Sequence, residues 1–129
     1  KALTLWDSEK PQVAILSTGS LSYAALTAAS ALVKEDIQTI VLHIPTIKPL
    51  DIESILAVAR RTSRVVTVEE HQAAGGFGSA IAEFLSEKYP VPIKRIGVND
   101  QFGQSGGSEE LLAHYGLDAL HIQDVILKL

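Results

Sequence analysis

The sequence has 129 residues, of which 47% are hydrophobic and 20% charged, enough for one domain with a buried core. Its net charge of −4 and its scattered Lys and Arg residues argue against nucleic acid as a partner. The absence of cysteine excludes disulfides and thiolate metal sites, and no apolar run approaches the roughly 20 residues that span a bilayer. We therefore expect a cytoplasmic protein without membrane contacts. The lack of methionine suggests a piece of a longer protein.

Short apolar runs alternate with helical patterns along the first half of the chain. Residues 2–6 predict an edge strand, and a hairpin-like link through residues 7–10 would make it antiparallel to the other strands. Further strands are predicted at residues 13–16 and 39–42. The residues between them place one apolar face at helical spacing, formed by Leu21, Ala24, Ala25, Ala28 and Leu32.

The same alternation continues through the second half. Asp51 is placed to cap a helix with a buried stripe of Ile52, Ile55, Leu56 and Ala59. Strands are predicted at residues 64–68 and 93–98, separated by a helix with the inner face Phe77, Ile81, Phe84 and Leu85. After the loop at residues 99–107 we expect a short helix near residues 109–114. A last helix carries Ile122, Val125, Ile126 and Leu129.

Strands that are apolar on both faces and alternate with amphipathic helices predict a parallel sheet covered on both sides. No internal repeat or linker interrupts the pattern, so residues 1–129 are predicted to form a single domain. Ligands of such sheets bind beyond the carboxyl ends of the strands. The polar residues predicted there are residues 17–20, His43 with Thr46, residues 69–71 and residues 99–101. Loops are polar in any case, so these residues are equally compatible with an ordinary solvated edge.

A glycine-rich stretch with Gly75, Gly76 and Gly78 follows a predicted strand and opens a helix. It invites comparison with the dinucleotide fingerprint G-x-G-x-x-G/A, but Ile81 stands at a position that requires a small residue. The helix N-terminus offers free backbone amides to an anion. Tight backbone packing is the alternative reason for these glycines.

Two other patterns match catalytic or metal-binding sites in residue type but not in spacing. Ser105 lies in a G-x-S-x-G pattern, followed by Asp118 and His121 in the order of a hydrolase triad. About six residues separate this serine from the strand end, and only 24 residues follow it, which argues against a nucleophile elbow. The four histidines lack the spacing of metal ligands, so we expect no metal site.

Glu69 and Glu70 are adjacent in an extended segment, so their side chains should point to opposite faces of the sheet. Paired acid–base work is therefore disfavoured, although it remains the functional alternative. We expect one carboxylate to be solvated and the other to bind a loop amide or His71.

Three segments together resemble the C-terminal domain of the transketolase family. They are VTVEEHQAAGGFGSA at residues 66–80, RIGVNDQFGQSG at residues 95–106 and ELLAHYGLD at residues 110–118. The turns at residues 18–20 and 49–51 also fit the family. The likeness covers essentially the whole chain, and the order and spacing of the segments make it specific.

The resemblance implies a three-layer α/β/α fold with a five-stranded, mixed but mostly parallel sheet and one antiparallel edge strand. It also implies a parent enzyme that transfers a two-carbon ketol unit between sugar phosphates with thiamine diphosphate and Mg²⁺. In that family a diphosphate-binding and a pyrimidine-binding domain hold the cofactor. The chain itself is then expected to bind no cofactor, to carry no catalytic residue and to serve packing and homodimer assembly.

The same resemblance suggests where such assembly contacts lie. Interdomain contacts are expected at Glu70, His71, Phe102 and Ser105. Asp100 and the glycines Gly75, Gly76 and Gly78 are further candidates for assembly or for anion binding.

Three alternatives stay open at this point. The parent resembles 1-deoxy-D-xylulose-5-phosphate synthase and the beta subunit of 2-oxo acid dehydrogenases as well, and in the latter this domain helps to bind a partner acyltransferase. The chain is also compatible with an autonomous regulatory module that binds an anion or a nucleotide at the helix N-terminus near Gly76.

Overall fold

The computed structural model describes residues 1–19, 21–45, 49–70, 76–98 and 108–129, with side chains from residue 117 onward in the last range. The strands are β1 (Leu3–Trp6), β2 (Val13–Ser17), β3 (Thr39–His43), β4 (Arg64–Glu70) and β5 (Ile93–Val98). The helices are α1 (Leu21–Leu32), α2 (Ile52–Arg61), α3 (Phe77–Lys88) and α4 (Ser108–Leu127). A 3₁₀ turn, Val33–Glu35, follows α1 directly.

The five strands form one sheet in the order β1-β3-β2-β4-β5. Strands β2 to β5 run parallel, whereas β1 pairs antiparallel with β3 through Leu3 opposite His43 and Trp6 opposite Val41. The predicted five-stranded, mostly parallel sheet with an antiparallel edge strand is confirmed. The hairpin-like link was wrong, because β3 lies between β1 and β2. Residues 7–12 therefore connect strands that are not neighbours.

Helices cover both faces of the sheet and give the predicted three layers. One face packs against α1 and α4, with a core built from Ile15, Val41, Val66, Ala28 and Ile122 among others. The opposite face packs against α2 and α3, and its core includes Leu16, Ile40, Val65, Ile55 and Ile81. Because side chains alternate along a strand, β2 and β4 feed both cores and read as continuous apolar runs.

Small residues let α1 approach the sheet closely. Ala24, Ala25, Ala28 and Ala29 are all fully buried, and Leu21 and Leu32 close the two ends of the same face. The predicted apolar face of this helix is confirmed. At its start, Gly19 has a φ of 60°, a conformation that glycine adopts without strain.

Both ends of α2 are tied to the first residues of the chain. Asp51 caps the helix by accepting a hydrogen bond from the Ser54 amide at 3.2 Å, as predicted, and its other oxygen accepts from the Ala2 amide at 2.9 Å. At the far end, Arg61 donates to both carboxylate oxygens of Asp7, at 3.2 and 3.0 Å. The residues that flank β1 on either side, Ala2 and Asp7, are thus both anchored to α2.

Three details of the helices differ from the sequence-based expectation. Ile52 is 47% exposed, because it lies in the first turn of α2, outside the stretch that Ile55, Val58 and Ala59 pack on the sheet. The two predicted C-terminal helices are one continuous helix, α4, which runs through Gly116. Burial of Ala119, Ile122 and Ile126 offsets the helix-breaking cost of this glycine, about 1 kcal/mol. Leu129 follows α4 and is 38% exposed.

No helix that the structure describes combines the length and the apolar character of a segment that crosses a bilayer.

Candidate functional site

The described carboxyl ends of the parallel strands place several polar side chains along one edge of the sheet. Ser17 ends β2 and lies opposite His43, the last residue of β3. On its other side Ser17 lies opposite Val68, and β4 continues from there to Glu69 and Glu70. The predicted gathering of polar residues at this edge is therefore present for the residues that the structure describes.

A chain of hydrogen bonds joins three elements at this edge. The hydroxyl oxygens of Ser17 and Ser22 are 2.7 Å apart, and the Ser22 oxygen is 2.6 Å from Nδ1 of His43. Ser17 is fully buried and Ser22 is 7% exposed, so each hydroxyl needs these partners. The contacts connect the end of β2, the first turn of α1 and the end of β3, and they hold His43 in one orientation.

Sequence reasoning placed Ser17 and His43 at the strand ends but did not connect them. The signal that was available is Ser22, which follows Leu21 on the buried side of α1, where a hydroxyl needs a partner. Its partners come from other elements, and only the sheet register brings them within reach.

The two glutamates at the end of β4 point to opposite faces of the sheet, as predicted. Glu69 faces α3, and its Oε2 atom accepts a hydrogen bond from the Gly78 amide at 3.1 Å. Glu70 lies opposite Val98, a residue of the core beneath α1 and α4, and its side chain is half-buried. The carboxylate that binds a backbone amide is therefore Glu69, whereas Glu70 lies on the opposite face of the sheet.

A second contact ties the start of α3 to the neighbouring strand. Arg95 of β5 donates from Nη1 to the Ser79 hydroxyl at 2.8 Å. Arg95 lies opposite Thr67 in the sheet, next to the Glu69 contact. The first turn of α3 is thus held by side chains from two adjacent strands.

The predicted site residues divide into two groups. Glu70, Gly76 and Gly78 lie at the carboxyl edge, with Gly76 as the N-cap of α3 and Gly78 inside its first turn. His71, Gly75, Asp100, Phe102 and Ser105 lie outside the described residues. The G-x-S-x-G pattern around Ser105 lies outside them as well.

The described residues do not fit the cofactor that the resemblance implies. They contain no group of three or more His, Asp or Glu side chains arranged to hold a metal ion such as Mg²⁺. A diphosphate would need free amides at a helix N-terminus, but at α3 the carboxylate of Glu69 already binds the Gly78 amide.

The sequence matches the family described as "Transketolase, C-terminal domain" over residues 3–122. The chain belongs to the transketolase C-terminal domain family. The predicted resemblance is confirmed.

The curated relatives of this transketolase C-terminal domain include a transketolase subunit and a 1-deoxy-D-xylulose-5-phosphate synthase. It is 43% identical over 118 residues to a subunit of the apulose-4-phosphate transketolase of Phocaeicola vulgatus, covering 92% of this chain and 37% of that protein. It is 44% identical over 108 residues to 1-deoxy-D-xylulose-5-phosphate synthase 1 of Geobacter metallireducens, covering 82% of this chain and 17% of that protein. The chain thus spans little more than a third of the first relative and a sixth of the second.

A solved structure supports the same assignment. The structure described as "Split gene transketolase, inactive beta4 tetramer" superimposes on this chain with a TM-score of 0.78 and 41% sequence identity. The match covers 99% of this chain and 40% of that one. The described residues therefore share the fold of a transketolase structure.

Proposed function

We propose that this chain is the C-terminal domain or subunit of a transketolase-like enzyme that transfers a two-carbon ketol unit between sugar phosphates. The observation that carries this proposal is the family match over residues 3–122, together with relatives in which the matching part is a minor share of the protein. A minor share is what a domain contributes when other domains carry the chemistry.

The role of the domain in this proposal is packing and assembly, without a complete active site. Thiamine diphosphate and Mg²⁺ are held by diphosphate-binding and pyrimidine-binding domains, in the same chain or in a separate subunit, and the assembled enzyme is a homodimer of such units. The split-gene relative is described as a tetramer of one kind of subunit, which favours self-association of chains of this type. The cytoplasmic location and the single-domain organisation stay predictions.

The surface proposed for docking is the carboxyl edge of the sheet. Glu70 lies there at the end of β4 with a half-buried side chain, and His71, Phe102 and Ser105 follow in the sequence segments that resemble the family most. Half-buried polar groups at a domain edge can be completed by a neighbouring domain, whose contacts remove them from water.

The test is the double substitution Glu70→Ala and His71→Ala in the complete enzyme. We expect weaker dimerisation in sedimentation experiments and a lower turnover number, because both side chains are proposed to contact the neighbouring domain. The matched control is Glu83→Ala, which removes an exposed carboxylate from α3 and should leave both measurements unchanged. Unchanged dimerisation and turnover in the double variant would contradict the docking role.

A second candidate is a 1-deoxy-D-xylulose-5-phosphate synthase, because a protein of that name is 44% identical to this chain. The two candidates share the domain and differ in the reaction of the complete enzyme. Assays of ketol transfer and of 1-deoxy-D-xylulose-5-phosphate formation on the same preparation separate them directly.

A further inference from the structure

Helix α3 begins without a cap of its own. Its N-cap is Gly76, which has no side chain, and its first turn contains no acidic residue. The amides of a first helical turn have no acceptor within the helix, and the helix dipole makes that end attractive to anions. These amides can therefore bind an acceptor from elsewhere, either a side chain or water.

Strand β4 supplies that acceptor. Glu69 reaches across to α3, where its Oε2 atom accepts from the Gly78 amide at 3.1 Å. The other carboxylate oxygen, Oε1, is buried and has no hydrogen-bond partner among the described residues. The carboxylate is thus enclosed at the helix end rather than solvated.

The surroundings of Gly78 show how closely the carboxylate is fitted. A methyl group at Gly78 would collide with Oε2 of Glu69, and it would approach Oγ1 of Thr67 to 2.9 Å and Cδ of Arg95 to 3.1 Å. The glycine therefore leaves the room that the carboxylate needs. Arg95 hydrogen-bonds to Ser79, so the space around the Glu69 carboxylate and Gly78 is bounded on the β5 side as well.

We propose that Glu69 is a built-in anion, which fills the N-terminus of α3 and fixes that helix to β4. The Gly78 amide is consequently not available to an external phosphate in the native chain. Resting on the proposed function, Glu69 is also a positioning residue for the docking edge, because Glu70 is its direct neighbour in β4 and follows any movement of the strand end.

Chemical rescue tests the assignment. Glu69→Ala removes a CH₂–COO⁻ group, which acetate matches in size and charge. We expect the melting temperature of this variant to fall by several degrees and to rise again, saturably, with acetate but not with chloride at equal ionic strength. The wild-type chain and the matched variant Glu70→Ala, which lacks the Gly78 contact, should respond to the two salts alike.

Two results would overturn the assignment. One is a Glu69→Ala chain that responds to acetate no more than to chloride. The other is a wild-type chain whose Gly78 amide resonance shifts on addition of inorganic phosphate, because that amide would then be available to an external anion.

A variant that fails to fold does not end the test. At neutral pH the amide proton of Gly78 should resonate further downfield in the wild-type chain than in Glu69→Gln, because a carboxylate is a stronger hydrogen-bond acceptor than the amide oxygen of glutamine. Equal chemical shifts of the Gly78 amide proton in the wild-type chain and in Glu69→Gln would refute the contact.

The docking consequence has its own readout. In the complete enzyme, Glu69→Ala should weaken dimerisation, and acetate should restore it. If acetate rescues the stability of the Glu69→Ala chain but the substitution leaves dimerisation unchanged, the positioning role of Glu69 is refuted. The hydrogen bond of Glu69 to α3, and the role of Glu70 in the proposed function, are then unaffected.

Discussion

Gly78 shows how packing reverses the usual effect of a substitution. In most helices Gly→Ala is stabilising by about 1 kcal/mol, because alanine has the higher helix propensity. At Gly78 the added methyl group meets Glu69, Thr67 and Arg95, and the Glu69 oxygen would have to leave the amide that it binds. Gly78 therefore serves the close approach of Glu69 rather than backbone freedom.

We predict that Gly78→Ala lowers the free energy of unfolding by about 1–3 kcal/mol, the usual range for overpacking. Urea denaturation measures the change, and the exposed substitution Ser86→Ala on the same helix serves as the control. A Gly78→Ala chain as stable as the wild type would show that the space around Gly78 relaxes without loss.

Asp51 links local electrostatics to the pH dependence of stability. The Ala2 amide, followed by the Ser54 hydroxyl and the Ser54 amide, lowers the pKa of this carboxyl group below its ordinary value of 3.8. A lowered pKa in the folded state means that the charged group stabilises the fold above the ordinary value. The contribution is lost as the pH falls through the folded value, because the unfolded chain takes up the proton first.

Asp51→Asn keeps a capping residue but removes the charge. We predict that the stability of wild type exceeds that of Asp51→Asn near neutral pH, and that the difference shrinks as the pH falls below 3.8. Thermal unfolding of both chains across this range measures the difference. A gap independent of pH would mean that the charge contributes nothing.

At the scale of elements, helix α1 depends on small side chains. Its buried face contains four alanines, so its backbone lies close to the sheet. We predict that Ala28→Leu destabilises the chain by about 1–3 kcal/mol, because the core has no room for three additional carbon atoms. Ser30→Leu, at an exposed position of the same helix, should change the stability by less than about 0.5 kcal/mol. Chemical denaturation of the two variants gives the comparison, and equal effects would contradict the close packing.

The elements themselves were largely predictable, because apolar periodicity reports which side of a strand or helix is buried. All five strands and the faces of α1 and α3 follow from it. The continuous α4 did not, because Gly116 reads as a helix end when the burial of Ile122 and Ile126 is unknown. The position of β1 beside β3 did not either, since the link between consecutive strands does not determine which strands become neighbours.

The candidate site was predictable in its composition and not in its contacts. Adjacent glutamates on a strand must face opposite ways, so one anchored and one free carboxylate could be expected. Which glutamate is the anchor depends on where α3 crosses the sheet. The bond between Ser22 and His43 depends in the same way on the register of β2 and β3.

At the scale of the molecule, the sheet divides the domain into two cores with different partners. The core beneath α1 and α4 reaches the carboxyl edge near Glu70 and His43, whereas the core beneath α2 and α3 ends at Glu69. Each face thus ends in its own polar contact at the edge proposed for docking. A substitution at one of these contacts removes a contact directly from one face of the sheet only.

The antiparallel edge strand carries the only tryptophan of the chain, Trp6, which packs against the core beneath α1. Because β1 pairs in the sheet with β3 alone, it can join the sheet only after β3 (Thr39–His43) has been synthesised. Fluorescence from Trp6 is therefore a local probe of the contact between β1 and β3. It reports the pairing of β1 with β3, separately from the assembly of the four parallel strands.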